Sequence, residues 1–167
     1  MKKVGVLMGS ISDLDKVQPG LDLLDELEIP LEVHVYSAHR TPREAAEFTE
    51  SAAEKGFGVL IAAAGKAAHL AGAVAAGTTL PVIGIPIKSS ALDGLDALLS
   101  TVQMPQGIPV ATVAIDGSYN AAMLAAQILA VENPELGLKL MELRRKMTAS
   151  VLEKDLELQE IRRRGKK

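Results

Sequence analysis

Apolar positions along the chain follow two alternating rhythms. Val4-Gly5-Val6-Leu7-Met8 is a short, nearly unbroken apolar run that stops at Gly9-Ser10, which reads as a buried strand. Ser12 and Asp13 follow as helix-start residues, and Val17, Leu21, Leu24 and Leu27 then recur at helical spacing up to Pro30. Pro19 sits awkwardly inside that helix. Leu31, Val33 and Val35 alternate with Glu32, His34 and Tyr36, predicting a second strand with His34 on its polar, solvent side. Thr41 as cap and Pro42 at the first position open a helix that runs to about Lys55, where Gly56 stops it.

The pattern then repeats. Gly58 to Ala63 is a third strand, turned by Ala64-Gly65 into a small-residue helix over 67–76. Pro81 to Ile85 is a fourth strand, followed by a helix over 92–102, and Ile108 to Val113 is a fifth. Residues 120–131 are helical, and Pro134 opens a long last helix. Five apolar strands alternating with helices predict a parallel sheet covered on both faces, a three-layer αβα sandwich with right-handed crossovers. The expected strand order is flavodoxin-like, 2-1-3-4-5, with ligands bound beyond the carboxyl ends of the strands, at the switch point between strands one and three.

Composition narrows the function classes. At 167 residues the chain has the length of one domain. Aromatic residues make up only 2%, which argues against a base-stacking nucleic-acid binder. The absence of cysteine excludes a disulfide scaffold, a thiolate metal site and a cysteine nucleophile. The first apolar run is too short for a signal peptide. The longest, Val59 to Gly77, carries Lys66 and His69 and does not suit a membrane span. A cytoplasmic protein with no membrane and no nucleic-acid partner is the expectation. Residues 134–167 hold ten Lys/Arg against six Asp/Glu, the remainder eight against fifteen. The basic tail 162–167 reads as a solvated end, a nucleic-acid contact being the alternative.

The candidate chemistry lies at the predicted carboxyl ends. Gly9-Ser10-Ile11-Ser12-Asp13 meets a helix start and offers an anion site, with plain capping by Ser12 or Asp13 as the other reading. It is neither a P-loop nor a dinucleotide fingerprint. Ser37-Ala38-His39-Arg40-Thr41-Pro42 gathers a hydroxyl, an imidazole suited to proton transfer and a guanidinium able to hold a phosphate. Ala64-Gly65-Lys66-Ala67-Ala68-His69-Leu70 lets backbone approach a ligand closely, although His69 also reads as a buried, hydrogen-bonded histidine. The three histidines show no metal spacing, and no serine sits in a nucleophile elbow. A receiver-like signalling module would need an acidic pair after the first strand, where Met8-Gly9-Ser10 stands. It would also need an Asp after the third strand, where Ala63-Ala64-Gly65 stands.

Those three blocks, with Val102-Gln103-Met104-Pro105-Gln106-Gly107-Ile108-Pro109-Val110 and the Asn120–Leu129 block, resemble in order the N5-carboxyaminoimidazole ribonucleotide mutase family of de novo purine synthesis. The likeness covers residues 3–155. It implies an enzyme without cofactor or metal that moves a carboxylate from the exocyclic nitrogen of an imidazole ribonucleotide to ring carbon C4. It implies His39 as the acid–base, and Ser10, Asp13 and Arg40 on the ribose phosphate. Gly9, Ser37, Ala64, Gly65, Ala68, His69 and Leu70 would line the rest. A second branch of the family carboxylates aminoimidazole ribonucleotide directly with CO2; Ala67-Ala68-His69-Leu70 and Arg40 resemble the mutase branch. Lys66 departs from the family, which usually has Gly or another uncharged residue there. An outward-facing Lys66 would change nothing and is the expectation; an inward one would meet the migrating carboxylate and leave open a related substrate.

The last helix carries Leu136, Leu140, Leu143, Met147, Val151, Leu158 and Ile161 at three- or four-residue steps, broken only by Lys154. This stripe is longer than one small sheet can cover. A catalytic domain over 1–133 is therefore expected, with helix and tail 134–167 reaching a neighbouring subunit. The resemblance implies a homo-octamer.

Overall fold

The computed structural model describes residues 1–90 and 92–165. Two compact units are present, Met1–Leu129 and a second from Ala130 onward. In the first, β1 (Lys3–Met8) leads through a single 3-10 turn (Ile11–Asp13) into α1 (Leu14–Glu26). β2 (Leu31–Val35), α2 (Pro42–Ser51), β3 (Phe57–Gly65), α3 (Leu70–Ala76) and β4 (Val82–Ile87) follow. A 3-10 turn at Leu92–Gly94, α4 (Leu95–Val102), β5 (Ala111–Thr112) and α5 (Ser118–Ala130) complete the order. The strands pair in parallel in the order β2-β1-β3-β4-β5, as the alternation of elements predicts.

β3 and β4 are buried along nearly their whole length, which is why each reads as a continuous apolar run. On one face, Val6, Ile61 and Ile85 meet Val17, Leu21 and Leu24 of α1 and Ala122 of α5. On the other, Leu7, Leu60 and Ala62 pack with Phe48 of α2 and Leu70, Ala71 and Val74 of α3. Alternation along β2 misleads because it is an edge strand. Leu7 pairs with His34, so His34 lies on the Phe48 face. Its ring stacks on Tyr36 at 4.9 Å and meets Phe48 edge-on at 5.1 Å. The face of β2 expected to be polar is thus the one that packs, although the His34 side chain stays 35% exposed, and Val33 and Val35 on the opposite face are 37% and 43% exposed.

Other departures are local. β5 shrinks from the predicted six residues to two, since Pro109 has no N–H for the ladder. α1 runs unbroken through Pro19. α3 begins at Leu70 rather than 67, because Lys66 takes a left-handed φ of 56° and interrupts the turn.

α1 crosses the start of α5 closely. A Cβ on Gly20 would lie 2.5 Å from the carbonyl oxygen of Ser118, a backbone atom that cannot rotate away. Overpacking costs about 1–3 kcal/mol, while Ala in a helix regains about 0.5–1 kcal/mol over Gly. Gly20→Ala is expected to destabilise by about 1 kcal/mol, the difference of these two terms. A denaturant midpoint that rises in this variant would contradict the close crossing.

The second unit is α6 (Pro134–Arg164), capped by the Asn133 side chain, which accepts from Leu136 N at 3.1 Å. Leu136 and Leu140 are buried, whereas Met147, Val151, Leu158 and Ile161 are 42–67% exposed. Of the basic tail, Lys166 and Lys167 lie outside the described residues.

Candidate functional site

A cavity of about 740 Å³ opens at the carboxyl ends of β1, β2, β3 and β4. Its walls begin with a loop that braces itself. Ser37 Oγ accepts from the backbone N–H groups of His39 and Arg40, at 3.3 and 3.2 Å. Thr41 Oγ1 accepts from Ser37 N at 2.8 Å and donates to Ser37 O at 3.3 Å. Thr41 is therefore a brace for this loop, and its side chain makes no cap bond to α2. These bonds hold the backbone of His39 and Arg40 at the rim before any ligand arrives.

His39 and His69 come from different strand ends and meet. His39 Nε2 lies 3.1 Å from His69 Nδ1, with ring planes at 81°. One ring must donate and the other accept, so each fixes the tautomer and orientation of its partner. Both rings are exposed to the cavity side, which replaces the buried reading of His69. Arg40 Nη2 donates to the carbonyl of Gly9 at 3.2 Å, carrying the guanidinium from the β2 end across to the β1 loop.

That loop is capped by Ser10. Its Oγ accepts from Ser12 N at 3.3 Å and from Ser12 Oγ at 2.8 Å, while Asp13 makes no cap bond to α1. Capping by Ser12 or Asp13 is thereby corrected. Burial pushes the Asp13 carboxyl above its ordinary range, and the nearby Asp116 charge adds to this; bonds from Ser12 and from the Ser10 backbone oppose it. The carboxylate is thus less favourable in the fold than in the unfolded chain, so its stability contribution falls as pH rises through its folded pKa. Asp13→Asn is expected to be more stable than the parent at neutral pH, by a margin that vanishes in acid. Thermal midpoints of both proteins across that range check the sign; a margin that grows in acid would contradict it.

Of the expected site residues, Gly9, Ser10, Asp13, Ser37, His39, Arg40, Ala64, Gly65, His69 and Leu70 all line the cavity. Ala68 does not; it is 2% exposed and belongs to the core. Lys66 is exposed and borders the cavity, where the sequence reading places it outward and clear of the site. Its left-handed backbone costs a non-glycine residue about 1–2 kcal/mol.

Lys16, Lys88 and Ser89 also line the cavity and escape the sequence reading. Lys16 follows Asp13 by one helical turn, and Lys88-Ser89 follows β4 as the anion loop follows β1, so the carboxyl-end rule applied to β4 would have found them. Asp116 ties them together. Its Oδ1 accepts from Lys88 N at 2.9 Å and its Oδ2 pairs with Lys16 Nζ at 3.2 Å. Asp93, 3.0 Å from Lys88 Nζ, holds that ammonium above its ordinary pKa. Among the described residues no group of three or more His, Asp or Glu could hold a metal ion, and no helix is long and apolar enough to cross a membrane.

Comparison with known proteins agrees across sequence and fold. Residues 3–150 match the model of the AIR carboxylase family. A Pyrococcus horikoshii protein named N5-carboxyaminoimidazole ribonucleotide mutase is 52% identical over 158 residues, 95% of this chain and 89% of its own. One of the same name from Bacillus subtilis is 53% identical over 152 residues, 90% of this chain and 94% of its own. The crystal structure of Treponema denticola PurE superposes with a TM-score of 0.82 at 26% identity, covering 93% of this chain and 97% of that one.

Proposed function

Since the chain belongs to the AIR carboxylase family, we propose that it converts N5-carboxyaminoimidazole ribonucleotide to 4-carboxy-5-aminoimidazole ribonucleotide, as a mutase of purine biosynthesis. The observation that carries the chemistry is the His39–His69 contact of 3.1 Å beside the Arg40 guanidinium in one cavity. Arg40, Ser10 and Asp13 hold the ribose phosphate at the β1–β2 side. His39 gives its proton to the exocyclic nitrogen; the N–C bond of the carbamate breaks and CO2 is released within the site. Ring carbon C4 of the electron-rich aminoimidazole attacks that CO2, a C–C bond forms, and His39 takes the displaced C4 proton. Atoms and charge balance over the cycle, and the imidazole returns to its starting state. His69 keeps the His39 ring aimed through both steps. Holding CO2 beside C4 replaces a bimolecular capture with a unimolecular one, provided the site stays closed to its escape.

The test is direct. Purified protein is incubated with the carboxyamino nucleotide, and separately with aminoimidazole ribonucleotide plus bicarbonate. Conversion of the first at catalytic protein concentration supports the reading; conversion of only the second moves the protein to the direct-carboxylation branch.

The exposed second half of the α6 stripe supports assembly in which neighbouring subunits cover that half, and the family resemblance extends this reading to a homo-octamer. Removing residues 148–167 is expected to yield smaller species with lower activity. Light scattering on full-length and shortened proteins checks this, and a monomeric full-length protein would contradict it.

A further inference from the structure

The nucleotide of the proposed reaction carries two anionic groups, a phosphate and a migrating carboxyl, and Arg40 accounts for only one. Across the sheet, the cavity edge presents Arg40 after β2, Ser10 after β1, then two lysines. Gly65 and Ile87 form the last paired rung of β3 and β4, and the next residue on each strand is a lysine, Lys66 and Lys88. Both line the cavity. Lys88 is already engaged, its ammonium with Asp93 at 3.0 Å and its backbone N–H with Asp116 at 2.9 Å. Lys66 has no ion-pair or hydrogen-bond partner among the described residues, and it keeps a left-handed φ of 56° that glycine would adopt without strain.

A third group points the same way. Ser89 Oγ is a buried atom of this wall without a hydrogen-bond partner among the described residues. This hydroxyl and the Lys66 ammonium belong to residues of the same cavity wall and leave two donors there for an acceptor. Gly65 keeps the two strand ends close: a Cβ there would lie 3.1 Å from Ile87 O and 3.8 Å from Ser89 Cβ.

We propose that Lys66, assisted by Ser89 Oγ, is the seat of the migrating carboxyl group, at the β3–β4 edge opposite the phosphate. This rests on the mutase reading and adds a specificity residue to it. The ammonium holds the carbamate before the transfer and the C4 carboxylate after it, so the oxygens of the departing CO2 remain anchored while the bond moves from nitrogen to carbon. Lys66 thereby makes the site favour carboxylated over decarboxylated nucleotide and suppresses leakage of CO2.

The experiment compares affinities of the parent, Lys66→Met, Lys66→Gly and Lys66→Arg for the 4-carboxylated nucleotide and for aminoimidazole ribonucleotide. Single-turnover partition of the carboxyamino nucleotide between transfer and release of the decarboxylated form is measured alongside. Lys66→Met is expected to bind the carboxylated nucleotide about 10- to 150-fold more weakly, the range of a charge-assisted contact, with affinity for the decarboxylated one within about twofold. It is also expected to release more decarboxylated nucleotide. Lys66→Gly, which suits the backbone, loses the same discrimination, and Lys66→Arg keeps most of it. Equal weakening toward both nucleotides, or no change toward either, would overturn the assignment. If the parent fails to convert the carboxyamino nucleotide, the mutase reading itself fails; a fully active parent whose variants keep its discrimination overturns Lys66 alone.

Discussion

His39→Asn is expected to lower turnover by about 10²–10⁴-fold, the usual worth of general acid–base catalysis. The larger end is expected because one imidazole serves both proton steps. Asparagine keeps a donor and an acceptor near His69 but cannot carry a proton between nitrogen and C4. Nucleotide affinity should stay within a few-fold, since the braces that hold this loop come from Ser37 and Thr41 rather than from the His39 ring. Steady-state kinetics with equilibrium binding checks both halves. A variant retaining a tenth or more of the parent turnover would remove His39 from the proton path.

Arg40→Ala is expected to weaken binding of phosphorylated nucleotide by about 10- to 150-fold, from the roughly 1.5–3 kcal/mol of a hydrogen bond to a charged group. The guanidinium is already held by the Gly9 carbonyl at 3.2 Å, so little side-chain freedom remains to be lost on binding. Comparison with the dephosphorylated nucleoside isolates the contact. The parent should favour the phosphorylated form strongly and Arg40→Ala should lose that preference; an unchanged ratio would place the phosphate elsewhere.

Much of this arrangement was legible in the sequence, for reasons that differ by residue. β1, β3 and β4 are covered on both faces, so they appear as apolar runs whose carboxyl ends mark the cavity. His39 and Arg40 stand out because a histidine and an arginine follow a strand and precede a Thr-Pro helix start. β2 misled because an edge strand covered on one face can carry its packing through His34 and Tyr36 and leave valines exposed. Ala68 and Lys66 lie two apart in one loop, yet one is core and the other cavity rim, because the left-handed turn at Lys66 redirects the chain. Lys88 and Ser89 were within reach of the same carboxyl-end reading applied to β4; only their place next to Lys66 depends on the Gly65–Ile87 register, which no local pattern encodes. The His39–His69 contact spans thirty positions of chain and required the tertiary fold.

The central claim is that the carboxyl group lost from nitrogen is the one gained by carbon, within one closed site. Single-turnover conversion of unlabelled carboxyamino nucleotide in labelled bicarbonate, kept in equilibrium with CO2, measures this directly. The account predicts a C4 carboxylate almost free of label; a product labelled to the level of the surrounding CO2 would contradict it.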